Sequence, residues 1–188
     1  MARPSPRVRD LLPELPADHG QRIVLGIDPG TQVVGYGAVV DRREGPVLLA
    51  AGALRAPRGV SVPARLAWLR EELDDLLRGL RPASVAVESG FSGRNPATAL
   101  RIGEGRGVAL AAAASACPEV HEITPAEVKK ALVGNGQADK GQVAQMVAHS
   151  LALEEAPRPL DASDALAIAL TLLARERFAS RTVAGSGR

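Results

Sequence analysis

The stretch RIVLGIDPGTQVVGYGAVV, from Arg22 to Val40, decides the fold of this 188-residue chain. An apolar run ends at one carboxylate, Asp28, breaks at Pro-Gly-Thr, and resumes as a second apolar run. Three β-rich runs, separated by short Pro/Gly turns, predict consecutive antiparallel strands over 23–28, 33–40 and 47–54. A lone acid at the end of a buried strand either accepts hydrogen bonds in the following turn or takes part in chemistry.

The rest of the chain alternates helical and strand patterns. Leucines at helical spacing predict a helix over 62–80, and the apolar run SVAVE predicts a buried strand over 84–88 that also ends in an acid, Glu88. A helix over 97–115, a strand over 120–123 and three further helices complete the pattern. We expect one α/β domain with a five-stranded mixed sheet, in which three antiparallel strands are followed by parallel ones, flanked by helices.

Both ends of the chain lack the patterns of the middle. Residues 1–21, with four prolines and no periodicity, predict a disordered leader, and residues 177–188 predict a flexible basic tail. The domain is therefore expected over 22–176.

Composition restricts the class of protein. A net charge of +2 is too small to indicate a nucleic-acid partner by itself. The single cysteine, Cys117, excludes an intramolecular disulfide and fits a reducing cytoplasm. The most apolar run, VALAAAASAC, is shorter than the roughly 20 residues that cross a bilayer, so we expect a soluble protein.

Four acids stand at the ends of apolar elements. Asp28 and Glu88 would face one crevice if their strands are neighbours. Asp161 and Asp164, three apart at the start of a helix, share a face. Each acid also has a structural interpretation: a turn acceptor at Asp28, a loop cap at Glu88, and an N-cap with a first-turn acid on the helix.

A bound cation would explain all four acids together. Carboxylate oxygens suit Mg²⁺ or Mn²⁺, whereas Zn²⁺ favours His or Cys. The candidate zinc ligands Cys117, His121 and His149 lack the spacing of a zinc site. His149 is interpreted as an ordinary helical histidine.

Four segments together resemble the RuvC family of Holliday junction resolvases over about 23–174. They are GIDPGTQVVGYGAV, VAVESGFSGRNPATALRIGEGRGV, ITPAEVKKALVGNGQADKGQV and DASDALAIAL. The resemblance implies a ribonuclease H-like fold and a homodimeric, Mg²⁺-dependent endonuclease that makes paired nicks in four-way DNA junctions. It also implies a partnership with a branch-migration motor complex.

The resemblance also implies roles for individual residues. The catalytic and metal-binding carboxylates are Asp28, Glu88, Asp161 and Asp164; some members carry His at the position of Asp161. Two Mg²⁺ ions, for which Mn²⁺ can substitute, would activate a water and stabilise the leaving oxyanion, with Asp28 as the bridge.

DNA contacts are also implied. Lys129 and Lys140 would hold the DNA backbone, although without the family a solvated helix face is the commoner explanation of two such lysines. Phe91 would stack on an unpaired base, or else anchor its loop on the core. The glycines at 103, 105 and 107 indicate close approach of another backbone, either a partner helix or the chain's own sheet.

Three other functions compete with this interpretation. A related ribonuclease H-like nuclease acting on RNA precursors would show similar strand-end acids. An actin-like ATP-binding fold also has Asp-x-Gly-Thr after its first strand, but it needs two such halves. A DNA-binding protein that has lost catalysis would not need four intact acids.

Overall fold

The computed structural model describes residues 7–15, 20–90 and 96–185. The five strands are β1 (Ile23–Asp28), β2 (Val33–Arg42), β3 (Gly45–Arg55), β4 (Ser84–Glu88) and β5 (Val120–Ile123). Their order in the sheet is β3-β2-β1-β4-β5. The first three strands pair antiparallel, whereas β4 pairs parallel with both β1 and β5. The predicted mixed sheet is confirmed.

In the described ranges, five α-helices flank the sheet: α1 (Val62–Leu80), α2 (Pro96–Ala116), α3 (Pro125–Val133), α4 (Lys140–Ser150) and α5 (Leu160–Gly185). Local signals fix several of their ends. The Ser61 hydroxyl accepts the Ala64 N–H at the start of α1, and Thr124 forms a reciprocal capping box with Glu127 at the start of α3. Gly134, in the left-handed region at φ 77°, ends α3.

Two apolar layers cover the two faces of the sheet. On one face, leucines of α1 and alanines of α2 pack against alternate residues of the strands, among them Leu25 and Val85. On the other face, α3, α4 and α5 pack against the intervening residues, such as Val24 and Ala86. The period of two along each strand therefore decides which helices it meets.

Helix α5 lies unusually close to β1 and β2. A Cβ added at Gly26 would lie 2.0 Å from the Ala165 carbonyl oxygen, and one added at Gly35 would lie 2.1 Å from the Asp161 carbonyl oxygen. Gly37 meets the backbone of Leu166 in the same way. Only glycine allows this backbone-to-backbone contact, which places the start of α5 over the ends of the two strands.

The leader predicted to be disordered contains a packed segment. Val8 is buried in a short 3-10 turn, Val8–Asp10, that lies against α1. Glu72 of α1, only 1% exposed, accepts the Val8 N–H at 2.7 Å and pairs with Arg7. The expectation is wrong for this segment because a buried carboxylate on α1, 64 positions away, supplies its partner.

The tail predicted to be flexible is largely helical. Helix α5 continues through the predicted boundary to Gly185. Arg177 donates hydrogen bonds to the Asp41 carboxylate and to the Arg42 carbonyl oxygen at the end of β2. These contacts anchor the helix beyond the last apolar turn, so the flexible tail predicted over 177–188 does not begin at 177.

Candidate active site

Asp28 and Glu88 meet at one edge of the sheet. Strands β1 and β4 are parallel neighbours, with Ile27 opposite Val87, so the two acids that follow lie side by side at the carboxyl ends of their strands. Both side chains are partly buried. The predicted convergence in a crevice at the strand ends is present.

Asp161 and Asp164 reach the same edge from α5. Helix α5 begins at Leu160, so Asp161 lies within the first turn rather than at the N-cap. The contact between Gly35 and the Asp161 backbone holds this turn against β2, where Gly35 is the partner of Asp28 in the antiparallel register. The glycine contact therefore positions the helix acids next to the strand acids.

Burial and neighbouring carboxylates raise the pKa values of the two strand acids. Burial, followed by the nearby charges of Glu88 and Asp164, raises the pKa of Asp28 to about 7. Burial and Asp164 also raise the pKa of Glu88. Both shifts mean that the ionised forms are disfavoured while no cation balances them.

Two cationic side chains contact the acids of α5. The Lys140 ammonium donates a hydrogen bond to Asp164 Oδ2 at 2.8 Å, and this bond raises the lysine pKa. Arg55 Nη2, at the end of β3, lies 3.4 Å from Asp161 Oδ2. Sequence reasoning missed Arg55, although a signal existed: it directly follows an apolar strand that the predicted meander sends in the same direction as β1.

The predicted DNA-contacting residues have different outcomes. Lys129 lines a cavity of about 220 Å³ together with Glu88, Lys140 and Asp164, so the structure brings both lysines to the acids. Phe91 lies outside the described residues.

The three predicted close-approach glycines separate into two kinds. A Cβ at Gly105 would lie 2.7 Å from the Gly30 carbonyl carbon, so α2 packs on the turn after β1. At Gly103 and Gly107 a Cβ would meet no atom of the described residues within 4 Å, and both glycines are exposed. Among the described residues, packing therefore explains Gly105 but not the glycines on either side of it.

The donor set of the four acids fits a hard divalent cation. All four supply carboxylate oxygens, and burial, followed by the neighbouring carboxylates, raises the pKa of Asp28, so its ionised form is disfavoured until a cation balances it. In the metal-free protein, Arg55 contacts the Asp161 carboxylate and Lys140 contacts the Asp164 carboxylate. A metal that bound the same carboxylate oxygens would displace these two side chains.

Another group of potential ligands lies elsewhere. Within the described ranges, the three residues whose ligand atoms all lie within 4.8 Å of one another are Glu119, His121 and Glu176. They lie near the amino-terminal ends of β4 and β5, and Glu176 is paired with Arg22. Sequence reasoning discounted His121, yet His121 in β5 and Glu119 just before it are two residues apart and so face the same side of the extended chain.

None of the helices in the described parts of the chain combines the length and apolar character needed to span a bilayer.

Comparisons with known proteins agree with this geometry. The family model described as Crossover junction endodeoxyribonuclease RuvC matches residues 24–172. Relatives of that name from Heliobacterium modesticaldum and Rubrobacter xylanophilus are 48% and 45% identical, over 79% and 89% of this chain and 91% and 94% of theirs. The structure of T. thermophilus RuvC in complex with Holliday junction substrate is 37% identical, with a TM-score of 0.77 over 84% of this chain and 96% of that one.

Proposed function

The chain belongs to the RuvC family of crossover junction endodeoxyribonucleases, and on that premise we propose that it resolves four-way (Holliday) DNA junctions by paired, metal-dependent phosphodiester hydrolysis during recombination and repair. The observation that carries the proposal is the meeting of Asp28, Glu88, Asp161 and Asp164 at the carboxyl edge of a ribonuclease H-like sheet.

The four acids are assigned as the catalytic and metal-binding residues. Asp28 is the central member, since its pKa responds to Glu88, Asp164 and Asp161. Two Mg²⁺ ions, or Mn²⁺ in their place, would supply an activated water and stabilisation of the leaving oxyanion. Because Asp28 must be ionised to bind a cation, cation binding competes with a proton on this carboxylate near neutral pH.

DNA contacts are assigned around the acids. Lys129 and Lys140 share the cavity with Glu88 and Asp164, where they offset the repulsion between carboxylates and a phosphate backbone. Phe91, in the loop after β4, is assigned to stacking on an unpaired base at the junction.

A homodimer is part of the proposal. Gly103 and Gly107 lie on an exposed face of α2 where no described part of the chain packs against them, and a second α2 could approach closely there. Two-fold symmetry would present two acid clusters to the two strands cut in a junction. A branch-migration motor complex remains a proposed partner, and the cytoplasm the proposed compartment.

An RNA substrate is not favoured. The curated relatives are named endodeoxyribonucleases, and a solved relative holds a Holliday junction. The actin-like alternative requires a second half, and the described ranges form a single five-stranded sheet.

A nicking assay tests the function. Wild-type protein with Mg²⁺ should cut a synthetic four-way junction at paired positions and leave a linear duplex and an RNA hairpin intact. EDTA should abolish cutting. Asp28→Asn should abolish cutting but retain junction binding in Ca²⁺. The control Asp75→Asn should cut normally, because Asp75 lies on α1 and pairs with Arg78. Cutting of the RNA hairpin alone, or an active Asp28→Asn protein, would refute the proposal.

A further inference from the structure

Strand β3 delivers an arginine to the edge of the sheet that carries the acids. It runs antiparallel to β2, which runs antiparallel to β1, so β3 has the same direction as β1 and β4. Its last residue, Arg55, therefore lies at the same edge as Asp28. The preceding Leu54 is buried on the α1 face, so Arg55 projects to the opposite face, where α5 lies.

The pair between Arg55 and Asp161 is loose. The Nη2–Oδ2 distance is 3.4 Å, longer than the roughly 2.7–2.9 Å of a good charge-assisted hydrogen bond. The arginine side chain is 53% exposed and the aspartate 38%. Exposed pairs of this kind contribute little to folding, so the guanidinium is easily transferred to another anion.

Arg55 and Lys140 reach the acids from different elements. Arg55 comes from β3 and contacts Asp161, whereas Lys140 comes from α4 and contacts Asp164. A DNA backbone that crosses the acids would thus pass a cationic side chain beside each of the two carboxylates of α5. Arginine is suited to this position because its planar group binds a phosphate through two hydrogen bonds.

We propose that Arg55 is a further DNA-backbone contact that exchanges partners. In the free protein its guanidinium neutralises Asp161; when Asp161 binds a divalent cation, the guanidinium turns to a phosphate of the junction. This inference rests on the proposed function, and it adds a residue and a coupling between cation binding and DNA binding.

The first test needs no DNA. Arg55→Gln removes the group that competes for Asp161, so the protein should bind Mn²⁺ about two- to fivefold more tightly in calorimetric titrations, as expected for loss of an exposed pair. Arg78→Gln is the matched control, because Arg78 also forms an exposed ion pair, with Asp75, but near the other edge of the sheet. Unchanged or weaker Mn²⁺ binding by Arg55→Gln would overturn the exchange.

The second test measures junction affinity across salt concentrations. In Ca²⁺, Arg55→Gln should lower the slope of log K against log salt by about 0.9, the value for one phosphate contact, whereas Arg55→Lys should keep most of it. In EDTA, wild type and Arg55→Gln should have the same slope. An unchanged slope in Ca²⁺, or an equal loss in EDTA, would overturn the proposal.

The two proposals fail differently. If the wild-type protein showed no preference for a junction over a linear duplex in these titrations, the proposed function would fail, while Mn²⁺ binding would still report on Arg55.

Discussion

Replacing Asp28 by Asn should change how the stability of the metal-free protein depends on pH. The folded protein holds the pKa of Asp28 at about 7, against an ordinary value of 3.8 that applies to the unfolded chain. Between these pH values the unfolded chain has released the proton and the folded protein retains it. The unfolded state therefore binds fewer protons, and the free energy of unfolding falls as pH rises.

The size of the effect follows from the two pKa values. Each tenfold change in proton affinity is worth about 1.4 kcal/mol, so the interval from 3.8 to about 7 corresponds to about 4 kcal/mol of stability, present below pH 4 and lost above pH 7. Asn cannot ionise, and Asp28→Asn should remove this loss. Burial of an incompletely paired amide costs about 1–3 kcal/mol at every pH. The variant should thus be more stable than wild type at pH 8 and no more stable near pH 5.

Urea denaturation in EDTA from pH 5 to 8.5 measures the difference. Trp68, the single tryptophan, lies partly buried against the core and reports unfolding by fluorescence. Asp75→Asn is the control, since it removes a carboxylate in the second half of α1 that pairs with Arg78 and does not belong to the acid cluster. Parallel curves for wild type and Asp28→Asn would refute the reasoning, because they would mean that Asp28 ionises alike in both states.

Other changes have equally definite outcomes. Neutralising Lys129 and Lys140 together should lower the salt slope of junction binding by up to about two, and an unchanged slope would place both off the DNA. Gly26→Ala should destabilise the fold by about 2 kcal/mol or more in urea denaturation, because its Cβ would meet a helix carbonyl oxygen at 2.0 Å. Gly103→Ala should not destabilise the fold, because no described atom lies within 4 Å of the added Cβ. Equal losses of stability in the two variants would contradict the packing. Deleting residues 1–21 should cost about 3–5 kcal/mol, since the buried glutamate of α1 loses its donors; a truncated protein as stable as the full chain would show that the segment contributes nothing.

The sheet and helices could be predicted from the sequence because local signals agree. The strands around Asp28 alternate with Pro/Gly turns, and α1 has leucines on one face with a Ser cap. The convergence of Asp28 and Glu88 followed from one further rule, that parallel neighbouring strands end at the same edge.

The contacts that were missed join residues far apart in sequence. Val8 and Glu72 are separated by 64 positions, and no periodicity links them. One trace was visible: Glu72 stands between Leu69 and Leu76 on the buried face of α1, and an acid at such a position needs a partner. The pair of Arg55 with Asp161 joins a strand end to a helix start 106 positions away, and no periodicity links the two residues.

The glycine contact between α5 and the strands determines how the site tolerates substitutions in the core. Where a helix and a sheet are separated by side chains, each core substitution changes their spacing slightly. At Gly26 and Gly35 the strand has no side chain, so main-chain contact fixes where the start of α5, with Asp161 and Asp164, lies over β1 and β2. Substitutions elsewhere in the core should therefore change the separation of the acids less than a substitution at Gly26 or Gly35 would.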